Sequence, residues 1–419
     1  MIIFYYMSYL LLTNELYFGN SNVIQENQNI FSKFYDAVNL ESDIDKKHIL
    51  VNNFITGIKK SGYPIYENDS TVILLYHGTV KTVALLGDMN DWVDKFYMQQ
   101  IENTDLFYYR GNYEPDARLE YWFIINENQM PIIDPLNKFI VRNGWGEISE
   151  LPMPKYNRNS LFNNYIHGEI GQFKSLKEVV LSSEFLLYNH IIHIYLPAGY
   201  SGSDKEYPVV YFQDGKDYIE FAVVPHILDN LIEDNEIEPV IAVFVTPPNL
   251  HQPKEPNRAT EYGLNDDYVN FFISELVPFI DSTFRTINEP DARLVIGDSY
   301  GGLISLYIGF SHPELFEKVY SQSGYHSFNN DKIIQSINNS PMKELNIYFD
   351  TGLYESQVGA AFIPERERNF LEGNRRLKKV LETKKYQFVY FEYPEGHTWG
   401  NWRRHLIDAL KYFFKGDKT

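Results

Sequence analysis

Five residues, Gly297-Asp298-Ser299-Tyr300-Gly301, set a serine between two glycines. The pattern is short enough to arise by chance, so its setting decides what it is worth. A β-rich run, Leu294–Ile296, ends just before it, and a helix-length run, Tyr300–Phe310, begins just after the serine. Strand, tight turn and helix in that order lift a hydroxyl to the carboxyl edge of a sheet, the arrangement of a nucleophile elbow. Gly297 and Gly301 remove side chains where such a turn crowds its neighbours. The N–H of Tyr300, at the start of the helix, can face a developing oxyanion. The competing reading is a glycine-rich turn around an inert serine, and the partners that follow argue against it.

A serine nucleophile needs a base, which in this layout follows the last strand. Phe388–Tyr393 reads as that strand, and Pro394-Glu395-Gly396-His397-Thr398-Trp399 as the loop after it. His397 is therefore the candidate base. His405 is its rival, but it falls inside a terminal amphipathic helix (405–414) that would carry it away. The acid that orients the imidazole belongs after the preceding strand, Leu345–Phe349, and two carboxylates compete there, Asp350 and Glu355. Spacing alone leaves both open. A second oxyanion donor belongs after an early strand. Pro208–Phe212 runs into Gln213-Asp214-Gly215-Lys216, where Gly215 would let the backbone approach a substrate and the donor is Gly215 or Lys216. An ordinary β-to-α turn is the alternative there.

The elements that must position these residues alternate in type. Strand-like runs at 191–196, 208–212, 240–245, 293–296, 318–321, 345–349 and 388–393 are separated by helix-length stretches at 218–235, 266–284, 300–310 and 364–384. That rhythm implies a largely parallel sheet covered on both faces. The texture before it differs. Residues 22–60 read as helical, and short β-rich runs at 71–76, 82–86, 107–113 and 119–125 follow without helices between them, which implies a small β-sandwich. The domain plan is a leader and helical segment over 1–60, a sandwich over 61–150, a Pro- and Asn-rich linker over 151–172 and a catalytic α/β domain over 173–419.

Composition excludes several classes. The 37 Lys and Arg against 56 Asp and Glu leave a net charge of −19, which repels nucleic acid and anionic lipid. Cysteine is absent, so thiol catalysis, disulfides and cysteine metal sites are excluded. Met1–Leu12 is apolar but has no Lys or Arg before it, and Asn14 and Glu15 interrupt it too early for a membrane span. A cytoplasmic protein is the expectation, with export open if that segment is part of a degenerate signal.

Two resemblances attach to these residues. VALLGDMNDW, YWFIINENQ and IDPLNKFIV, from about Asn68 to Arg142, resemble the early-set, immunoglobulin-like modules that precede catalytic domains in glycan-branching enzymes and some esterases. Such modules can bind glucan through exposed aromatics, here Trp92, Trp122 or Trp145, although filling the sandwich core or a domain seam is the favoured use of these rings. From about Leu181 onward, HIYLPAGY, VVYFQDG, EPNRATEYGLND, FISELVPFIDSTF, VIGDSYGGL, VYSQSG, YFDTGLYES and GHTWGNW resemble the esterase D-type esterases, in particular their enterochelin (siderophore) esterase branch.

The resemblance implies an α/β-hydrolase fold, a serine carboxylic-ester hydrolase and no metal or organic cofactor. It places the acid last in a G-x-x-[DE] turn, here Gly352-Leu353-Tyr354-Glu355, and so favours Glu355 over Asp350. Its R-x-x-E element, Arg258-Ala259-Thr260-Glu261, implies substrate contacts, against the plainer reading of an Arg258–Glu261 surface ion pair. The implied substrate is a bulky small-molecule ester such as a siderophore trilactone. A feruloyl or acetyl-xylan esterase with a glycan-associated front module is the alternative, and a non-catalytic binding protein on the same fold is a second.

Overall fold

The structure, a computed structural model, describes residues 29–127, 130–157, 176–249, 254–359 and 362–416. The apolar segment Met1–Leu12 and most of the expected linker lie outside them. The chain divides into two compact units. The first holds the residues up to 157 apart from 91–93 and 141–147, which group with the second.

The first unit begins with helices α1 (Ile30–Leu40) and α2 (Ile44–Ser61). Asp43 starts α2 by accepting the amides of Asp45 and Lys46, two donors that helix geometry leaves without a carbonyl. The helices meet through Phe34 and Phe54, stacked with ring centroids 3.8 Å apart. The strands are β1 (Ile65–Tyr66), β2 (Thr71–His77), β3 (Val83–Gly87), β4 (Phe96–Tyr97), β5 (Gln99–Gln100), β6 (Leu106–Asn112), β7 (Arg118–Ile125), β8 (Ile140–Asn143) and β9 (Gly146–Pro152). One antiparallel sheet runs β1-β2-β6-β5, while β3 pairs with β4 and β7, and β7 with β9, also antiparallel.

None of the three candidate tryptophans in this part of the chain is fully buried in a core, the first of the two uses expected for them. Trp92 and Trp122 are half-buried and Trp145 is 78% exposed. The core places go instead to Tyr121 and Phe123, the neighbours of Trp122 that the strand alternation turns to the other face.

The second unit is an eight-strand sheet. Its strands are β10 (Leu176–Ser182), β11 (Asn189–Tyr195), β12 (Val209–Phe212), β13 (Ile241–Thr246), β14 (Arg293–Asp298), β15 (Lys318–Gln322), β16 (Asn346–Tyr354) and β17 (Gln387–Gly396), in the order β10-β11-β13-β12-β14-β15-β16-β17. The β10–β11 and β11–β13 pairs are antiparallel and the others parallel. Apolar clusters cover both faces. Val209 and Tyr211 point into one, Val210 and Phe212 into the other. This is why the central strands read as unbroken apolar runs rather than alternating ones.

Helices α3 (Gly215–Glu220), α4 (Val224–Glu233), α5 (Arg258–Tyr262), α6 (Asp266–Phe271), α7 (Val277–Thr283), α8 (Tyr300–Ser311), α9 (Phe328–Asn339), α10 (Phe370–Lys384) and α11 (Trp399–Phe413) complete the unit. The single helix expected over 218–235 is two, because Val223 adopts φ 49° and Pro225 opens a new first turn. The terminal helix starts at Trp399, six residues earlier than expected, with Gly400 buried inside it. The long, mostly parallel sheet with helices is the α/β-hydrolase type of architecture that the motifs imply. Among the described residues no helix is long and apolar enough to cross a membrane.

Candidate active site

Strand β14 ends at Asp298 and helix α8 starts at Tyr300, so Ser299 alone makes the turn. It does so at φ 56°, ψ −116°, a backbone conformation that costs a non-glycine residue energy and persists only where its surroundings enforce it. Those surroundings are visible. The Ser299 amide donates to the Gln322 carbonyl at 2.9 Å, and the Ser299 carbonyl accepts from Tyr325 N at 2.9 Å. A Cβ on Gly297 would lie 2.2 Å from the Gly301 backbone, and one on Gly301 would lie 2.9 Å from Asp214 Oδ2. Gly297 is thus required by crowding inside the elbow itself, and Gly301 leaves room for the Gln213-Asp214 loop packed against it. Tyr300 occupies the first helical position, where helix geometry provides its N–H with no carbonyl one turn back.

His397 follows β17, and its Nδ1 lies 3.1 Å from Glu355 Oε2. The imidazole is held edge-on by Phe370 at 5.1 Å and Trp402 at 4.9 Å, centroid to centroid. Glu355 is fully buried. Its Oε1 accepts the Ser323 hydroxyl at 2.6 Å and the Gly352 amide at 2.8 Å. A glycine is needed at 352 because a Cβ there would lie 2.1 Å from the Glu395 carbonyl. A path of direct contacts therefore runs from the elbow to the histidine: Ser299 to Gln322, its neighbour Ser323 to Glu355, and Glu355 to His397.

The rival residues are engaged elsewhere. Strand β16 continues five residues past Phe349, so Asp350 pairs within the sheet opposite Phe391 rather than ending a strand. Its Oδ2 accepts the Tyr320 hydroxyl at 2.6 Å, and burial pushes its carboxyl up to about 7. His405 lies 2.8 Å from Glu395 and stacks on Tyr393 with ring centroids 3.3 Å apart.

Two expectations about the periphery change. The Lys216 amide already donates to Thr246 Oγ1 at 3.0 Å, which argues against it as an oxyanion donor. Gly215 is required for a different reason than substrate approach: a Cβ there would lie 2.4 Å from the Phe244 backbone on β13. In the R-x-x-E element the two charged ends do not meet. Arg258 grips Asp214 through Nε and Nη2, both at 2.7 Å, and its Nη2 reaches the Asp298 carbonyl at 3.0 Å. Glu261 turns to Tyr188 Oη at 2.6 Å and His190 Nε2 at 2.9 Å. Burial, and then the nearby Asp214 charge, pushes the Asp298 carboxyl well above the usual range, and the Arg258 guanidinium, 3.4 Å from Asp298 Oδ2, opposes that rise. Three positions apart on the short helix α5 the two could have met, but each takes partners from other segments, and the sequence carries no signal for partners 40 or more residues away.

Ser323, Trp402 and Asp214 are the site residues that sequence reasoning did not single out. Ser323 stands in the VYSQSG stretch that shares in the family resemblance, but its role comes only from its fold neighbours. Among the described residues no cluster of His, Asp and Glu suits a metal ion.

With an elbow serine, a carboxylate-bound histidine and their sheet in place, a family model described as "Putative esterase" matches residues 186–413, more than half of the chain. The chain belongs to this esterase family. It is 30% identical over 220 residues to the uncharacterized protein YjcH of Bacillus subtilis strain 168, covering 52% of this chain and 88% of that protein. It is 23% identical over 344 residues to the iron(III) enterobactin esterase of Escherichia coli O6:H1, covering 75% of this chain and 80% of the relative. The enterobactin esterase FES of Shigella flexneri, solved in the presence of enterobactin, superposes with a TM-score of 0.68 at 22% identity, over 83% of this chain and 94% of that one. This esterase therefore shares the fold of the enterobactin esterases.

Proposed function

We propose that this esterase hydrolyses carboxylic esters through an acyl-enzyme on Ser299, with His397 as base and Glu355 as the orienting acid. The observations that carry this reading are the pairing of Glu355 with His397 Nδ1 and a serine held at φ 56° in a strand–helix turn of the same sheet. His397 takes the Ser299 proton as the hydroxyl oxygen attacks the ester carbonyl. The oxyanion is met by the N–H of Tyr300 and, in second place, by that of Gly215. The C–O bond of the ester then breaks, and the departing alkoxide takes the proton from His397. Water, deprotonated by the same imidazole, attacks the acyl-enzyme and returns the hydroxyl to Ser299. Glu355 holds the Nδ1–H tautomer and stabilises the imidazolium that forms.

For the substrate, the proposal is a bulky ester of the siderophore trilactone kind. Its support is that the likeness to iron(III) enterobactin esterase spans 344 residues, more than the catalytic unit contains. Half-buried Tyr300 and Phe328, with ring centroids 5.8 Å apart beside the elbow, add an aromatic surface suited to aryl groups. The test is a rate comparison of a catecholate trilactone with feruloylated and acetylated xylan, using the wild type and Ser299→Ala. Fastest turnover of the trilactone, lost in Ser299→Ala, is the expected result. Faster turnover of a xylan ester would overturn the substrate, and activity retained in Ser299→Ala would overturn the nucleophile.

A further inference from the structure

We propose that Ser323 is a positioning residue for hydrolysis, its hydroxyl locked by Trp402 so that its proton always points at Glu355. This rests on the catalytic reading above. The argument is a count of protons. The indole N–H of Trp402 can only donate, and it lies 2.9 Å from Ser323 Oγ. Ser323 Oγ must therefore accept from Trp402, which leaves its single proton for Glu355 Oε1 at 2.6 Å. The carboxylate is fully buried, so no water compensates it. Ser323 and Gly352 serve Oε1, while the Thr351 hydroxyl at 3.4 Å and His397 Nδ1 at 3.1 Å face Oε2. One oxygen is thus held by two fixed donors, and the other is shared by the histidine and the more distant Thr351 hydroxyl.

The backbone makes the case independently. Ser323 sits at φ 46°, with its amide donating to the Asp350 carbonyl at 2.9 Å. Glycine occupies that conformation with less strain, so what a serine adds there is its hydroxyl. Trp402 works twice, since the ring whose N–H sets the serine also lies perpendicular to the His397 ring, 4.9 Å away. Both ends of the Glu355–His397 pair are therefore oriented by one buried side chain of α11, which is 5% exposed.

The expected sign follows from charge. With neutral His397 the pair carries a full negative charge on Glu355; with protonated His397 the pair is neutral. A donor to Glu355 stabilises the first state more than the second. Removing the Ser323 hydroxyl should therefore make His397 take up a proton at higher pH. The titratable groups around the pair are Asp350 on β16, Tyr390 and Glu395 on β17, and His405 on α11, while α10 presents Phe370. All of them remain in the Ser323 variants.

The experiment uses the full chain with Ser323→Ala, Ser323→Gly and Trp402→Phe. Two readouts are taken: the pH midpoint of the His397 ring signal by NMR, and the pH midpoint of the rate at which a fluorophosphonate labels Ser299. Both midpoints should move up by roughly 0.5–1 pH unit in the two Ser323 variants, and by less, in the same direction, in Trp402→Phe. A His397 midpoint that stays within 0.1 unit of wild type in folded Ser323→Ala and Ser323→Gly would overturn the proposal. Should both fail to fold, the midpoint in Trp402→Phe decides it. A wild type that is not labelled at Ser299 defeats the catalytic reading instead, and the NMR midpoint still reports on the Ser323–Glu355 bond.

Discussion

Two carboxylate–histidine pairs lie near the end of β17. Glu355 and His397 are 3.1 Å apart, Glu395 and His405 2.8 Å apart, so distance alone does not single out the pair proposed for catalysis. They differ in what surrounds the imidazole. The His397 side chain keeps 17% of its surface exposed and meets aromatic rings only by their edges. His405 is 7% exposed, lies flat on Tyr393, and its Nδ1 is buried with no hydrogen-bond partner. A general base must reach a substrate-bearing cavity and accept a proton without a desolvation penalty. His397, the more exposed of the two, fits the proposed role better, whereas His405 is a packed core residue held by Glu395.

The largest contrast should come from deleting the two rings. His397→Ala is expected to lower kcat on an aryl ester by several orders of magnitude with little change in Tm. His405→Ala should do the reverse. It strands Glu395 in the core at a cost of about 3 kcal/mol, while the folded fraction keeps kcat within about tenfold of wild type. Calorimetry and kinetics on the same preparations check both halves, and a His405→Ala enzyme that is stable but inactive would merge the two pairs into one site.

The acids sharpen the comparison next. Glu355→Gln removes the carboxylate that fixes the tautomer and should cost up to ~10⁴-fold in kcat. Asp350→Asn, which touches Tyr320 rather than His397, should cost less than about tenfold. Equal losses would mean that the buried carboxylate in the sheet also sets the imidazole.

The last contrast is in stability against pH. Burial raises the Asp350 carboxyl from 3.8 to about 7, so between those values the folded chain holds a proton that the unfolded chain has lost. Stability from this group is complete below pH ~4 and falls as pH rises through about 7, by up to roughly 4 kcal/mol for three units. Asp350→Asn should therefore show a flatter decline in denaturation midpoint between pH 5 and 8 than wild type does. A parallel decline would assign the pH dependence to other groups.

Much of this site was legible without a structure. Gly297-Asp298-Ser299-Tyr300-Gly301 between an apolar strand and a helix-forming run matches a nucleophile elbow, a tight turn that crowds side chains on both sides of the serine. The alternation of strands and helices likewise dictated the parallel sheet, and position after the last strand picked out His397. These are local properties, set by neighbours within a few residues. Tertiary structure decided the rest. Asp350 and Glu355 lie on one short stretch, and only the extension of β16 to Tyr354 buries the first beside Tyr320 and brings the second to His397. Arg258 and Glu261 look like a pair in sequence, yet their partners, Asp214 and His190, come from other strands' ends. Ser323 gains its meaning from an indole 79 residues away. Hydrogen-bond partners of buried polar groups are chosen by whichever chain segments the core brings within 3 Å, and sequence spacing carries no record of that choice.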